Sequence, residues 1–162
     1  MENIAKAIGI SLPISTKDTV EVCNLLRGKT TEQSKTILEK VIEGKLPVPF
    51  KRYNHNVPHK KGKISAGRYP KNVSINILKL INVAEANAQN KGLIAPFKIK
   101  KITANKGPKQ WHHGRQTRIK MKKTHVEIIL SETKKKETKK FERKKVVEKP
   151  KIIDNTKKDT KK

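Results

Sequence analysis

Apolar residues along this chain repeat at two spacings. A three- and four-residue rhythm predicts helices in three places. Ser15 is a candidate N-cap for a helix over Thr16 to Arg27, with Asp18 in its first turn and Gly28 as its stop. Val22, Cys23 and Leu26 share its apolar face. Thr30 or Thr31 opens a second helix, striped by Ser34, Ile37, Leu38, Val41 and Ile42 and stopped by Gly44. A third runs from about Val73 to Lys91 and ends at Gly92, with Val73, Ile77, Leu80, Ile81, Ala84 and Ala88 on one side. These stripes are expected to form a core, and Cys23 is expected to be a small buried hydrophobe within it.

The other spacing is two, the period of a strand. Residues 97–130 read as two alternating runs joined by a turn-rich, cationic tip. Phe97 and Ile99 alternate, then the apolar phase slips to Ile102 and Ala104. On the return, Ile119 and Met121 alternate before the phase slips to Val126, Ile128 and Leu130. Paired slips predict a bulge or strong twist where the ribbon leaves the domain. Residues near 97–99 and 126–130 should join a sheet, with Ile4 to Ile10 as its third strand. Each arm is about ten residues, or about 30 Å. A free two-stranded ribbon of that kind is marginal in water, so it needs a surface to rest on.

Charge says what the surface is. Forty Lys and Arg against fourteen Asp and Glu give +26, of which residues 133–162 carry +9 and the remainder +17. The folded part is therefore strongly basic in its own right, and a polyanion is the expected neutraliser. From Lys98 to Val126 there is no acidic residue. Nucleic acid is favoured because phosphate contacts supply most non-specific affinity. No apolar run is long enough to span a bilayer, and no amphipathic helix carries a one-sided basic face, so a membrane partner is not expected. The start of the chain lacks a signal-peptide apolar core, so export is not expected. One cysteine excludes an internal disulfide framework and fits a reducing cytosol. Aromatic residues make up only 4%, which predicts a small aliphatic core.

Two segments fall outside the helix and strand patterns. Residues 133–162 are lysine-rich and nearly without apolar periodicity, a composition expected to be disordered when free. Residues 46–71 are rich in Pro, Lys and Arg, so neither helix nor strand is expected there, and a connection of this length is usually functional. Phe50, Tyr53, Tyr69, His55 and His59 are interleaved with its cations. That mixture suits RNA, where planar groups stack on bases while cations hold phosphates.

Five stretches carry a family resemblance: PVPFKRYN (47–54), GRYPK (67–71), ANKGPK (104–109), GRQTRIKMKKTH (114–125) and VEIIL (126–130). In this order and spacing the chain resembles the universal large-subunit ribosomal protein L-twenty-two family, in its archaeal and eukaryotic form, from about residue 4 to residue 132. The resemblance implies an α+β fold, three helices packed on a small three-stranded antiparallel sheet with a long protruding β-hairpin. It implies an rRNA-binding domain over 1–132, including the hairpin 97–130, with 133–162 as a tail outside the family's common part. It further implies a structural constituent of the large ribosomal subunit, cytoplasmic, whose partners are large-subunit ribosomal RNA and neighbouring ribosomal proteins. The hairpin would run through RNA, and its tip would line the polypeptide exit tunnel beside the nascent polypeptide. By position the tip residues are Gln110, Trp111, His112, His113, Gly114 and Arg115. Here the chain departs from related archaeal tips, which are a few residues longer and often carry Pro-Arg before Gly-Arg, whereas His112-His113 stands there in this sequence.

The candidate rRNA-binding residues follow from charge, planarity and placement. In the 46–71 segment they are Lys51, Arg52, Tyr53, His55, His59, Lys60, Lys61, Lys63, Arg68, Tyr69 and Lys71. In the ribbon they are Lys106, Lys109, Arg115, Arg118, Lys120, Lys122 and Lys123, with Lys6 on the first strand as an outlier. Tyr53, Tyr69 and Trp111 are the expected stacking platforms. His55 and His59 are four apart, but Asn54, Asn56 and Pro58 argue against the helix that would converge them on a metal. His112 and His113 are adjacent and would point to opposite faces of a strand. Glu85 and Glu127 have no partner at catalytic spacing, and no nucleophile triad or phosphate loop is present. No enzyme activity, metal, cofactor or small-molecule substrate is expected. The competing reading is a free-standing basic nucleic-acid-binding or compaction protein, which accounts for the charge but not for the hairpin tip.

Overall fold

The computed structural model describes residues 4–62, 64–114 and 118–133. Lys63, Arg115 and the tail beyond residue 133, all singled out above, lie outside the described residues. Strand β1 (Ile4–Leu12) alternates as expected, burying Ala5, Ala7 and Gly9 and exposing Lys6, Ile8 and Ile10. Helices α1 (Thr16–Leu26) and α2 (Thr31–Ile42) follow, then two-residue strands β2 (Val48–Pro49) and β3 (Gly67–Arg68). Helix α3 (Lys71–Asn90) precedes the hairpin strands β4 (Phe97–Lys106) and β5 (Thr124–Glu132). The main sheet is antiparallel in the order β1-β5-β4, so β5 is central.

Each helix stops where a glycine can turn left-handed: φ is +77° at Gly28, +80° at Gly44 and +72° at Gly92. Helix α2 starts with a capping box in which Thr30 and Gln33 exchange side-chain and backbone bonds. At α1 the N-cap is Ser15 as expected, but its hydroxyl makes no capping bond. The Ser15 carbonyl instead accepts from the Thr19 amide and from Thr19 Oγ1.

Helices cover one face of the sheet, with α3 on β1 and β5, α1 on β4, and α2 against α3. The core between them is aliphatic apart from Phe50 and Phe97, and includes Leu26, Leu38, Ile77, Ile81, Ile102, Ile128 and Leu130. Cys23 sits among them, and burial pushes its thiol up to about 12. The slip from Ile99 to Ile102 is a register shift: Ile99 faces Leu130, and Lys101 already faces Ile129. One extra residue on β4 turns Lys100 and Lys101 outward and brings Ile102 back to the core. The domain sheet consequently holds β4 as far as Lys106, further than the 97–99 expected from the pattern. On the return β5 itself pairs with β4 without a slip from Thr124 onward, and the second register shift falls on its other neighbour, between Gly9 and Leu12 of β1 opposite Val126 and Thr124.

Both sheet edges are covered at one end. On the β1 side, Asn87 Nδ2 donates to the Lys6 carbonyl and Lys91 Nζ to the Ile4 carbonyl, each at 3.1 Å. Along β4, Ile99 exchanges backbone bonds with Gly28 and Lys29, at 3.2 and 2.9 Å.

The segment 46–71 corrects the expectation of irregular chain. Val48–Pro49 pairs with Gly67–Arg68, and His59 bridges Ala66. Val48, Phe50, Val57 and Ala66 are buried. Burying these four side chains offsets the entropy of closing a long loop.

Candidate nucleic-acid interface

The Pro-rich loop is pinned by an acid that charge counting overlooks. Glu21, on α1, is 1% exposed. Its Oε1 accepts the amides of Arg52 (2.8 Å) and Tyr53 (3.0 Å), and its Oε2 accepts that of Lys51 (3.2 Å). Three donors on one carboxylate fix the backbone of a cationic, aromatic tripeptide while its Lys51 and Arg52 side chains stay exposed. The signal in the sequence was a lone acid within the apolar run Val20 to Cys23.

A second tie joins the hairpin to the same helix. Thr124 Oγ1 donates to the Ile14 carbonyl at 2.9 Å and lies 2.8 Å from Thr16 Oγ1. Its single proton goes to Ile14, so Thr16 is the donor between the two hydroxyls. Gly107, just past β4, is buried, and a Cβ there would stand 3.2 Å from the Lys123 carbonyl carbon and 3.1 Å from His125 Nε2. The two hairpin strands therefore close tightly next to the first turn of α1.

Three clefts surround that turn. The central one, about 520 Å³, is lined by Ser15, Thr16, Lys17, Tyr53, Lys106, Lys109 and Lys122. On one side a cleft of about 380 Å³ has Tyr69, Lys71, Lys122 and Asp18 in its wall. On the other a cleft of about 240 Å³ is bounded by Lys17, Asp18, Phe50, Arg52, Tyr53, His55 and Arg68. Shared lining residues set the three side by side, so loop, hairpin base and α3 start contribute to one cationic belt. Lys17 and Asp18 are the contributors that sequence reasoning did not select.

Several expected contacts are already in use within the protein. The Tyr53 ring has the Lys17 ammonium 5.8 Å and the Arg52 guanidinium 5.5 Å from its centroid. Lys60 stands 5.4 Å from the Tyr69 ring, and Lys120 only 4.3 Å from Trp111. Tyr69 and Trp111 are nonetheless 36% and 54% exposed. Phe50, grouped above with the RNA-facing aromatics, is buried, with Arg68 5.8 Å from its ring. Lys6 lies outside the belt, paired at 2.6 Å with Glu127. That hydrogen bond lowers the Glu127 pKa, helped by the charges of Lys6 and Lys101 and by Thr103 and opposed by desolvation. Glu85 is likewise paired, with Lys35.

Beyond Gly107 the ribbon continues, among the described residues, through a bridge of Trp111 with Lys120, where His112 N donates to Ile119 O and Met121 N to Gln110 O. Gln110, His112, His113, Gly114, Arg118 and Lys120 are exposed, whereas Lys123 is half-buried. His59 and Lys61 are exposed on the far part of the loop, outside the three clefts. Among the described residues no three His, Cys, Asp or Glu converge as a metal site, and no helix is long and apolar enough to cross a membrane.

Residues 7–131 match the family described as Ribosomal protein L22p/L17e. The chain belongs to this family. It is 41% identical over 143 residues to the large ribosomal subunit protein uL22 of Nanoarchaeum equitans, covering 83% of this chain and 82% of that one. Against the uL22 of Methanosphaera stadtmanae the identity is 42% over 140 residues, with 81% and 90% covered. For Methanococcus aeolicus uL22 the values are 40% over 136 residues, 79% and 89%. Membership of L22p/L17e makes this a ribosomal protein rather than an enzyme.

Proposed function

We propose that this chain is a structural constituent of the large ribosomal subunit in the cytoplasm, binding ribosomal RNA through the belt around the start of α1. The observation that carries the reading is the adjacency of the three clefts, which draw cations from segments up to about a hundred positions apart in sequence onto one surface. Its mechanism is phosphate neutralisation with counterion release, together with stacking by exposed aromatic side chains. Lys51, Arg52, Arg68 and Lys71 hold the loop side; Lys106, Lys109, Lys122 and Lys123 hold the hairpin base. Arg118 and Lys120 extend the contact along the ribbon. In this reading residues 1–132 form the RNA-binding domain and 133–162 an accessory basic tail. The tip from Gln110 to Arg115 lines the polypeptide exit tunnel, within reach of the nascent polypeptide.

Sedimentation tests it. In a lysate fractionated at moderate salt, the protein is expected to stay in the large-subunit peak. Spread over bulk DNA and free RNA would overturn the assignment and favour a free-standing compaction protein.

A further inference from the structure

The central cleft differs from its two neighbours in chemistry. Both flanking clefts include Asp18, whereas the central one has no acid in its lining. Four lysines, Lys17, Lys106, Lys109 and Lys122, line it together with Tyr53, Ser15 and Thr16. At about 520 Å³ it falls in the range of pockets that enclose a small organic ligand, too large for a phosphate alone. Its walls are also fixed from behind. Glu21 holds the Tyr53 amide, Thr124 ties the hairpin to Ile14 and Thr16, and Gly107 lets Lys123 approach closely.

From this arrangement we infer that the cleft receives one unstacked nucleotide of RNA, its base against Tyr53 and its flanking phosphates on Lys106, Lys109 and Lys122. This rests on the RNA-binding reading and sharpens it to a single site. A paired stretch keeps its bases inside the helix, so only a bulged or looped nucleotide can enter a pocket of this kind. Stacking on a tyrosine tolerates any base, so the site selects for being unpaired and not for sequence. The Lys17 ammonium, on a flexible stem at 5.8 Å from the ring centroid, gives way or moves to a phosphate when the base enters.

Two measurements test it. Ultraviolet cross-linking of intact large subunits, followed by peptide mass spectrometry, is expected to yield a nucleotide adduct on Tyr53. A peptide adduct there instead would assign the cleft to a neighbouring protein and overturn the inference. With the full chain, an RNA duplex carrying one bulged nucleotide should bind roughly tenfold tighter than the fully paired duplex. Tyr53→Leu should abolish that preference while Tyr53→Phe keeps it. Replacing Lys106, Lys109 and Lys122 with Gln should lower the salt slope by about 2 to 3 for both RNAs. Equal affinity of the wild-type chain for the two duplexes defeats the pocket but leaves RNA binding standing. Failure to bind either RNA removes the underlying reading as well.

Discussion

A single carboxylate decides whether the basic loop is a floppy polycation or a shaped surface. Glu21 is enclosed and spends its oxygens on three backbone amides, not on a side-chain cation. Glu21→Gln keeps the size but turns an amino group toward donors, so at least one amide loses its acceptor. The expected cost is about 1–3 kcal/mol in denaturant unfolding, with faster amide exchange confined to Lys51, Arg52 and Tyr53. Unchanged exchange at those three positions would show that the loop is held by its apolar side chains alone. At this scale the sequence was only partly readable. The three helix-ending glycines announce themselves because their role is local, and the opening of α2 is legible as Thr30 or Thr31, though Gln33's part in its capping box is not. Glu21 does not, because its partners lie about thirty residues away and are backbone groups common to every residue.

Among the elements, the helices and the long strands follow directly from periodicity, and the extra residue at Lys100 shows as a break in the alternation. Strands β2 and β3 were hidden, since two residues have no period and the flanking prolines argue against pairing. They form because Phe50 N donates to Ala66 O and the buried Val48, Phe50, Val57 and Ala66 pull the loop onto the domain. The hairpin divides at Gly107 into a packed half and an outer half that, among the described residues, is bridged at Trp111 and Lys120. No described residue between 108 and 123 contributes to the core. Deleting residues 110–118 should therefore leave helical circular dichroism unchanged and shift the melting temperature by only a few degrees. A large loss of helical signal would mean that the tip supports the domain after all.

For the whole molecule, net charge identified the class of partner before any fold was assigned, but not where on the surface the partner sits. The belt exists only after folding brings Lys17, Tyr53 and Lys122 together. Charge also predicts a division of labour between domain and tail. Residues 133–162 carry +9. Removing them is expected to weaken RNA affinity modestly and to flatten its dependence on salt, since each phosphate contact contributes about 0.7–0.9 to the slope. An unchanged slope in filter-binding titrations would rule out contact between tail and phosphates.

The side chains of Asn87 and Lys91 on the Ile4 and Lys6 carbonyls, and Gly28 and Lys29 on the opposite border, have a consequence for the time before assembly. At the start of β1 and around Ile99 of β4, a second copy would find these peptide groups already engaged and unable to pair with an added strand. Self-repulsion at +26 also opposes association between copies until a polyanion neutralises them.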